Sequence, residues 1–262
     1  GFIGVADVLE PQPLERRLVT RQGQGLVGPI AGEGDGPADD DTRRQVGHGD
    51  ARMVAQLQQE GGQQVLERIA AIVDAGLGEG GAGGDVAAPG GGGQGGGGVV
   101  LITGASGFIA AALIARLGER YTVVGLDRAG PPDPPPPAAA VAIDLGSDEA
   151  VRAALEEVRA RYGARIASVI HLAAYYDITG KPNPLYDKVT VQGTRRLIDG
   201  LQSFEVEQFV FASTMLVHKP TATPEERISE ESPIGASWAY PQSKVDTEAL
   251  LPERHGPIRV VF

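Results

Sequence analysis

The chain has 262 residues, a formal net charge of −11 and no cysteine, which excludes disulfides and thiolate metal sites. Its four histidines lack metal-ligand spacing, so no metal is expected, and no basic stripe points to nucleic acid or an anionic membrane surface. No stretch is long and apolar enough to span a bilayer, and the first residues lack a basic region followed by an apolar core; the expectation is a cytoplasmic protein without a membrane partner.

Composition divides sharply near residue 98. Most of the 38 glycines precede it, whereas Phe2 is the only aromatic residue that does. Residues 1–98 are expected to be a low-complexity, Gly-rich extension, disordered by composition. "GPIAGEGDGPADDD" has too little apolar surface to offset the entropy of ordering. Within "MVAQLQQEGGQQVLERIAAIVDAG", Val65, Leu66, Ile69, Ile72 and Val73 fall on overlapping helical faces, although Gly61-Gly62 weakens a helix in its middle. "PGGGGQGGGG" reads as a flexible linker. The segment is read as an appendage without a fold, the alternative being a regulatory or docking arm.

From Val99 onward short β-branched runs alternate with helical ones. "VVLIT" is a buried strand, followed by a glycine turn and the helix "FIAAALIARLGER". "YTVVGLD" is the second strand, "GPPDPPPP" a stiff extended loop and "AVAIDL" the third strand. The amphipathic helix "SDEAVRAALEEVRARYG" follows, with Ser147 as its cap. Then come the strand "IASVIHLAA", a helix around 185–203, the strand "QFVFAST", a polar loop, a helix carrying Tyr240, and "IRVVF". This alternation predicts an α/β fold, a Rossmann-type doubly wound parallel sheet over residues 99–262. Right-handed crossovers gather the loops at the strands' C-terminal ends, where such sheets bind ligands.

"TGASGFIA" links the first strand to the first helix. Gly104 permits a tight turn, Gly107 lets backbone approach a phosphate, and Ala110 lets helix and strand pack closely. The helix N-terminus then offers free N–H groups to a pyrophosphate. Asp127, ending the second strand, suits the two hydroxyls of an adenosine ribose and repels a 2′-phosphate, which favours NAD; Arg128 beside it makes NADP the alternative. In "WAYPQSK", Tyr240 and Lys244 emerge one turn apart on one helix face.

Taken together, "TGASGFIA", "GLD", "IDL", "HLAA", "FAST" and "YPQSK" resemble, in order and spacing, the extended short-chain dehydrogenase/reductases, the NAD-dependent epimerase/dehydratase family. The resemblance covers residues 99–262 and implies a pyrophosphate loop at Gly104, Gly107, Phe108 and Ile109, a ribose-binding acid at Asp127, and adenine contacts at Asp144 and Leu145. It implies that the backbone of Leu172, Ala173 and Ala174 passes beneath the cofactor. It makes Thr214 the hydroxyl that binds the substrate oxygen and Tyr240 with Lys244 the acid/base pair, Lys244 also holding the nicotinamide ribose. Ser213 is the neighbouring candidate for Thr214, but strand alternation lets only one of the two face the cofactor. The ammonium and a nicotinamide cation are expected to pull the phenol from its free value near ~10 toward neutrality.

Some positions depart from the family. Thr190 in "VTVQGT" stands where relatives usually carry asparagine. Met215 and Leu216 replace the acidic pair of sugar dehydratases, which argues against dehydration. Relatives continue past the sixth strand into a substrate-binding part, so the sheet is expected to be incomplete at the C-terminus, with that domain missing. Tyr175, Tyr176 and Asp177 would face substrate, His218 reads as an ordinary loop histidine, and "PEERISEESP" as a solvated loop. The function implied is NAD-dependent oxidation or epimerisation at a hydroxyl of a small-molecule substrate, a sugar nucleotide or similar polar alcohol, in a homodimer. The alternatives are a non-catalytic dinucleotide-binding module and an NADP-dependent reductase of small carbonyl compounds.

Overall fold

The computed structural model describes residues 64, 66–75, 97–177, 179–223 and 225–262. Of the extension expected over residues 1–98, residues 1–63, 65 and 76–96, with most of the "PGGGGQGGGG" linker, lie outside the described residues. A first helix, α1, covers residues 66–75. It is followed by β1 (Val99–Thr103), α2 (Phe108–Leu117), β2 (Thr122–Asp127), β3 (Ala139–Ala142), α3 (Asp148–Tyr162), β4 (Arg165–Ile166) and β5 (Ser168–His171). A π-helical turn at Tyr186–Val191 runs into α4 (Gln192–Leu201). The remaining elements are β6 (Glu205–Val206), β7 (Gln208–Phe211), a 3-10 turn at Met215–Val217, α5 (Ala239–Arg254) and β8 (Arg259–Val261).

Six strands form one parallel sheet in the order β3-β2-β1-β5-β7-β8. This is the expected doubly wound Rossmann arrangement: the order reverses direction between β1 and β5, opening a crevice at their C-terminal ends. The central strands are buried runs of Val, Ile and Leu because helices cover both faces. Leu101, Val169, Phe209 and Phe211 point to one face and pack with Leu155, Leu197, Ile198 and Leu251 from α3, α4 and α5. Val100, Ile102, Ile170 and Val210 point to the other and pack with Leu113, Ile114 and Leu117 of α2. Ser147 caps α3 as expected, its Oγ accepting from Ala150 N at 3.3 Å. A separate two-stranded parallel sheet of β4 and β6 was not foreseen from the sequence.

Helix α1, which lies within the stretch expected to be an extension, packs into the second of these cores. Ile69, Ala70, Ile72 and Val73 are buried beside Val100, Ile102, Leu113 and Val210. Buried Gln208 donates its Nε2 to the carbonyls of Ile72 at 3.2 Å and Val73 at 3.4 Å, satisfying groups that a helix C-terminus leaves without intrahelical partners. Asp74 accepts from Arg120 Nη1 and Tyr121 Oη, both at 2.7 Å. The Arg120–Asp74 pair is more than a third exposed on both sides, so it adds little. The Tyr121 phenol is pushed up to about 12, first by burial and then by its bond to Asp74. Apolar burial therefore holds α1: each of Ile69, Ile72 and Val73 contributes roughly 1.5–3 kcal/mol.

Truncating Ile69 measures this docking. Ile69→Ala is expected to lower the unfolding free energy by about 2–5 kcal/mol in urea titration. An undocked helix would give a change within about 0.5 kcal/mol.

Candidate active site

The turn after β1 is built on close backbone approach. Gly104 has φ +68°, a conformation that disfavours a side chain, and its N–H bonds to Leu126 O at 2.9 Å. A Cβ there would stand 3.0 Å from Ala173 N and 3.1 Å from Ala173 Cα, so the glycine turn and the "HLAA" segment can lie against each other only without one. A Cβ at Gly107 would come within 3.1 Å of Gly104 O. The first intrahelical bond of α2 is from Ala111 N to Gly107 O, which leaves the N–H groups of Phe108, Ile109 and Ala110 without helix acceptors. Phe108 itself is 91% exposed.

Asp127 closes this corner from β2. Its Oδ2 accepts from Ser106 N at 2.9 Å and its Oδ1 from Arg128 N at 2.8 Å. The Arg128 side chain is exposed. Asp144, exposed beyond β3, accepts from Gly146 N at 2.8 Å, while the Leu145 side chain is buried in the core and its carbonyl accepts from Arg196. Of the pair expected to contact adenine, therefore, Leu145 has only its backbone to offer a ligand.

The end of β5 carries a polar network that sequence reasoning missed. His171 is fully buried and holds Thr103 Oγ1 at 2.7 Å through Nδ1 and Thr194 Oγ1 at 2.9 Å through Nε2. Thr194 donates its hydroxyl hydrogen to Thr190 O at 2.6 Å, so it must accept from His171. Nε2 then carries the proton, and Nδ1 accepts from Thr103. Thr103 Oγ1 in turn accepts from Ala173 N at 3.2 Å. Burial, and next the Lys244 charge, lower the imidazole to about 3 and keep it neutral. The one signal was the histidine opening "HLAA", a polar residue in an otherwise apolar strand. Thr190 Oγ1 accepts from Tyr175 N at 3.0 Å, so the residue that replaces asparagine fixes the loop after β5.

Beyond β7, Ser213 and Thr214 turn different ways. Ser213 Oγ donates to Glu248 Oε1 inside the protein, whereas Thr214 Oγ1 accepts from Leu216 N at 3.3 Å at the start of the 3-10 turn. On α5, Lys244 is buried and its Nζ donates to Ala212 O at 2.7 Å, lying 4.6 Å from the centre of the Phe211 ring. Its pKa falls to about 7 because burial outweighs the attraction of Glu248. Tyr240 is nearly buried, with the rings of Tyr176, Trp238 and Tyr186 centred 4.9, 5.6 and 6.5 Å away. Its phenol is raised to about 12 by burial, then by Tyr176 and Tyr186. The protein's own groups thus favour the protonated phenol, because desolvation acts on the charged form; the expected pull toward neutrality invoked a nicotinamide cation in addition.

The structure therefore groups Gly104, Gly107, Asp127 and Ala173 at one end of the crevice, and Thr214, Tyr240 and Lys244 around the end of β7. Tyr176 is half exposed beside Trp238 and Tyr240, so an aromatic wall flanks the phenol. His218, expected as a loop histidine, is buried and binds Ser232 O at 2.9 Å through Nδ1, securing the loop that follows. No helix among the described residues is long and apolar enough to cross a membrane.

The profile of the NAD dependent epimerase/dehydratase family matches residues 100–255. The 3 beta-hydroxysteroid dehydrogenase type 7 of Mus musculus is 38% identical over 93 residues, which are 34% of this chain and 25% of that protein. UDP-glucose 4-epimerase of Thermus thermophilus in complex with NAD gives a TM-score of 0.52 at 24% identity, covering 62% of this chain and 53% of that one; this is a likeness of fold. MoeE5 in complex with UDP-glucuronic acid and NAD gives 0.50 at 27% identity, over 62% and 52%. The chain thus spans about half the length of these structures and a quarter of the curated relative.

The buried histidine carries a pH signature. Unfolded, its imidazole takes up a proton near 6.5; folded, only near about 3. The unfolded state therefore binds more protons between these values, and acidification through that window lowers stability. His171→Asn should remove a slope of up to about 1.4 kcal/mol per pH unit, seen as the difference between wild-type and variant urea unfolding from pH 6.5 to 4.5.

Proposed function

This chain belongs to the NAD-dependent epimerase/dehydratase family, and on that basis we propose that it is an NAD-dependent oxidoreductase or epimerase of the extended short-chain type. Its substrate is a hydroxyl or keto carbon of a sugar nucleotide or similar polar alcohol. The observation that carries the reading is the convergence of the glycine turn, Asp127 and the Tyr240–Lys244 pair on the C-terminal edge of one parallel sheet. MoeE5, which binds UDP-glucuronic acid and NAD, supports it at 27% identity.

The residues present fit a dinucleotide. The glycine turn is a cradle that a side chain would fill, and Ser106 Oγ is buried there without a hydrogen-bond partner among the described residues. The first N–H groups of α2 suit a pyrophosphate, and the Asp127 carboxylate suits a ribose diol and disfavours a 2′-phosphate. NAD held there supplies a hydride acceptor and a positive charge that favours the Tyr240 phenolate. Thr214 Oγ1 donates a hydrogen bond to the substrate oxygen. Tyr240 Oη takes the hydroxyl proton during oxidation and returns it during reduction, and the Lys244 ammonium stabilises the phenolate form. Tyr176, Tyr186 and Trp238 pack around the Tyr240 ring and shield it from water.

A second reading, oxidation of a hydroxyl on an apolar ring alcohol, is favoured by the half-exposed aromatic wall of Tyr176 and Trp238 and by the hydroxysteroid dehydrogenase relative. Turnover against sugar nucleotides and sterols separates the two.

Tyr240→Phe should lower kcat by about 10²–10⁴-fold and leave the NAD dissociation constant unchanged, as read by fluorescence titration; undiminished turnover refutes the assignment. Asp127→Ala should weaken NAD by roughly 10–100-fold, the loss of charged hydrogen bonds, and narrow discrimination against NADP.

A further inference from the structure

One buried charged group has no part in the reaction as proposed. Glu248 lies on α5 and is only 6% exposed, a rare state for a glutamate unless it is paired. It follows Lys244 by four residues, as Lys244 follows Tyr240, so the three emerge along one face of the helix. On an exposed helix the order Lys then Glu is the less stabilising one, so helix stability alone does not account for this spacing.

Glu248 is instead engaged with the sheet. Ser213 Oγ donates to its Oε1 across 35 residues of chain. Ser213 is the residue before Thr214, and Ala212, the residue before Ser213, supplies the carbonyl that Lys244 binds. One tripeptide thus gives the ammonium a carbonyl, the carboxylate a hydroxyl donor and the substrate a hydroxyl. Among the described residues, the titratable groups that act on the Lys244 ammonium are His171 of β5 and, on α5, Tyr240 and Glu248. His171 is neutral, and Tyr240 is protonated in this environment. Glu248 is the remaining source of negative charge.

We infer that Glu248 is a positioning residue, a buried counter-charge that holds the Lys244 ammonium beside Tyr240 and turns Ser213 away from the substrate side. This rests on the acid/base reading of Tyr240 and Lys244. Burial drives the Lys244 pKa down to about 7 even with Glu248 present. Without that carboxylate the midpoint would fall below neutrality, and the lysine, uncharged at pH 7, could no longer stabilise a phenolate.

The chain contains only four lysines (Lys181, Lys188, Lys219 and Lys244), so their side-chain carbons can be resolved by NMR after 13C-lysine labelling. In the cofactor-free protein the Lys244 Cε signal, assigned by its loss in K244M, should titrate near pH 7. In E248Q, whose amide oxygen still accepts from Ser213, the midpoint should fall by about one pH unit or more. The alkaline limb of the kcat profile should move the same way. E248M, linear and apolar, supplies the same comparison should the glutamine variant fold poorly, and E248D, which keeps the charge, should restore most of the midpoint. An unchanged midpoint in E248Q or E248M overturns the inference and leaves Glu248 a structural link between α5 and β7. Full turnover in Y240F would overturn the acid/base reading itself, a result that the lysine titration does not mimic.

Discussion

An ammonium buried against a carbonyl sets the geometry of this protein. Lys244 Nζ reaches Ala212 O at 2.7 Å, with the Phe211 ring beneath it. Removing a charge of this kind from water costs several kcal/mol even after relaxation, so the cation has little freedom to choose other partners. Ala212 is itself tied to the neighbouring strand, its N–H bonding to His171 O at 3.1 Å. The sheet therefore fixes the carbonyl, the carbonyl fixes the lysine, and the lysine fixes the rotation of α5. Tyr240, one turn earlier, has its position settled by the same chain of contacts.

The histidine at the end of β5 belongs to that design. A cation at His171 would face the Lys244 charge in a fully buried site, and burial and repulsion both keep the ring neutral. Neutrality gives it one donor and one acceptor. It directs them to Thr194 and Thr103, joining the end of β1 to the helix after the π-helical turn. π-helical turns often mark functional sites, and this one presents Thr190 to the backbone of Tyr175. The glycine turn, the loop after β5 and α4 are thus connected through uncharged hydrogen bonds.

The strands were legible in the sequence because a parallel sheet covered on both faces demands unbroken apolar runs, and "VVLIT" and "QFVF" have no competing helical period. The glycine turn and the tyrosine–lysine spacing were legible because each is a short-range pattern. Other features depend on contacts between distant residues. The helical spacing of Ile69, Ile72 and Val73 was legible, but its docking was not, because it depends on distant partners such as Val100, Leu113 and Gln208, the last 136 residues from Ile72. The upward shift that the protein's own groups give Tyr240 was missed because it comes first from burial and then from Tyr176 and Tyr186, and burial has no local sequence signature. Glu248 escaped notice for a similar reason: on its own helix it looks like any exposed glutamate, and only Ser213 reveals which way it faces.

Strand β7 explains why these separate features coexist. Its side chains alternate, so Gln208 and Val210 face α1 while Phe209 and Phe211 face α4 and α5. Continued past the strand, the same parity sends Ser213 inward to Glu248 and leaves Thr214 to start the next turn. A slip of one residue would reverse every one of these assignments. It would put Gln208 into an apolar core and take Ser213 from the carboxylate beside the buried ammonium. The packing of α1 on one face and the choice of Thr214 as the outward hydroxyl therefore follow from one register, held by the pairing of β7 with β5 on one side and β8 on the other.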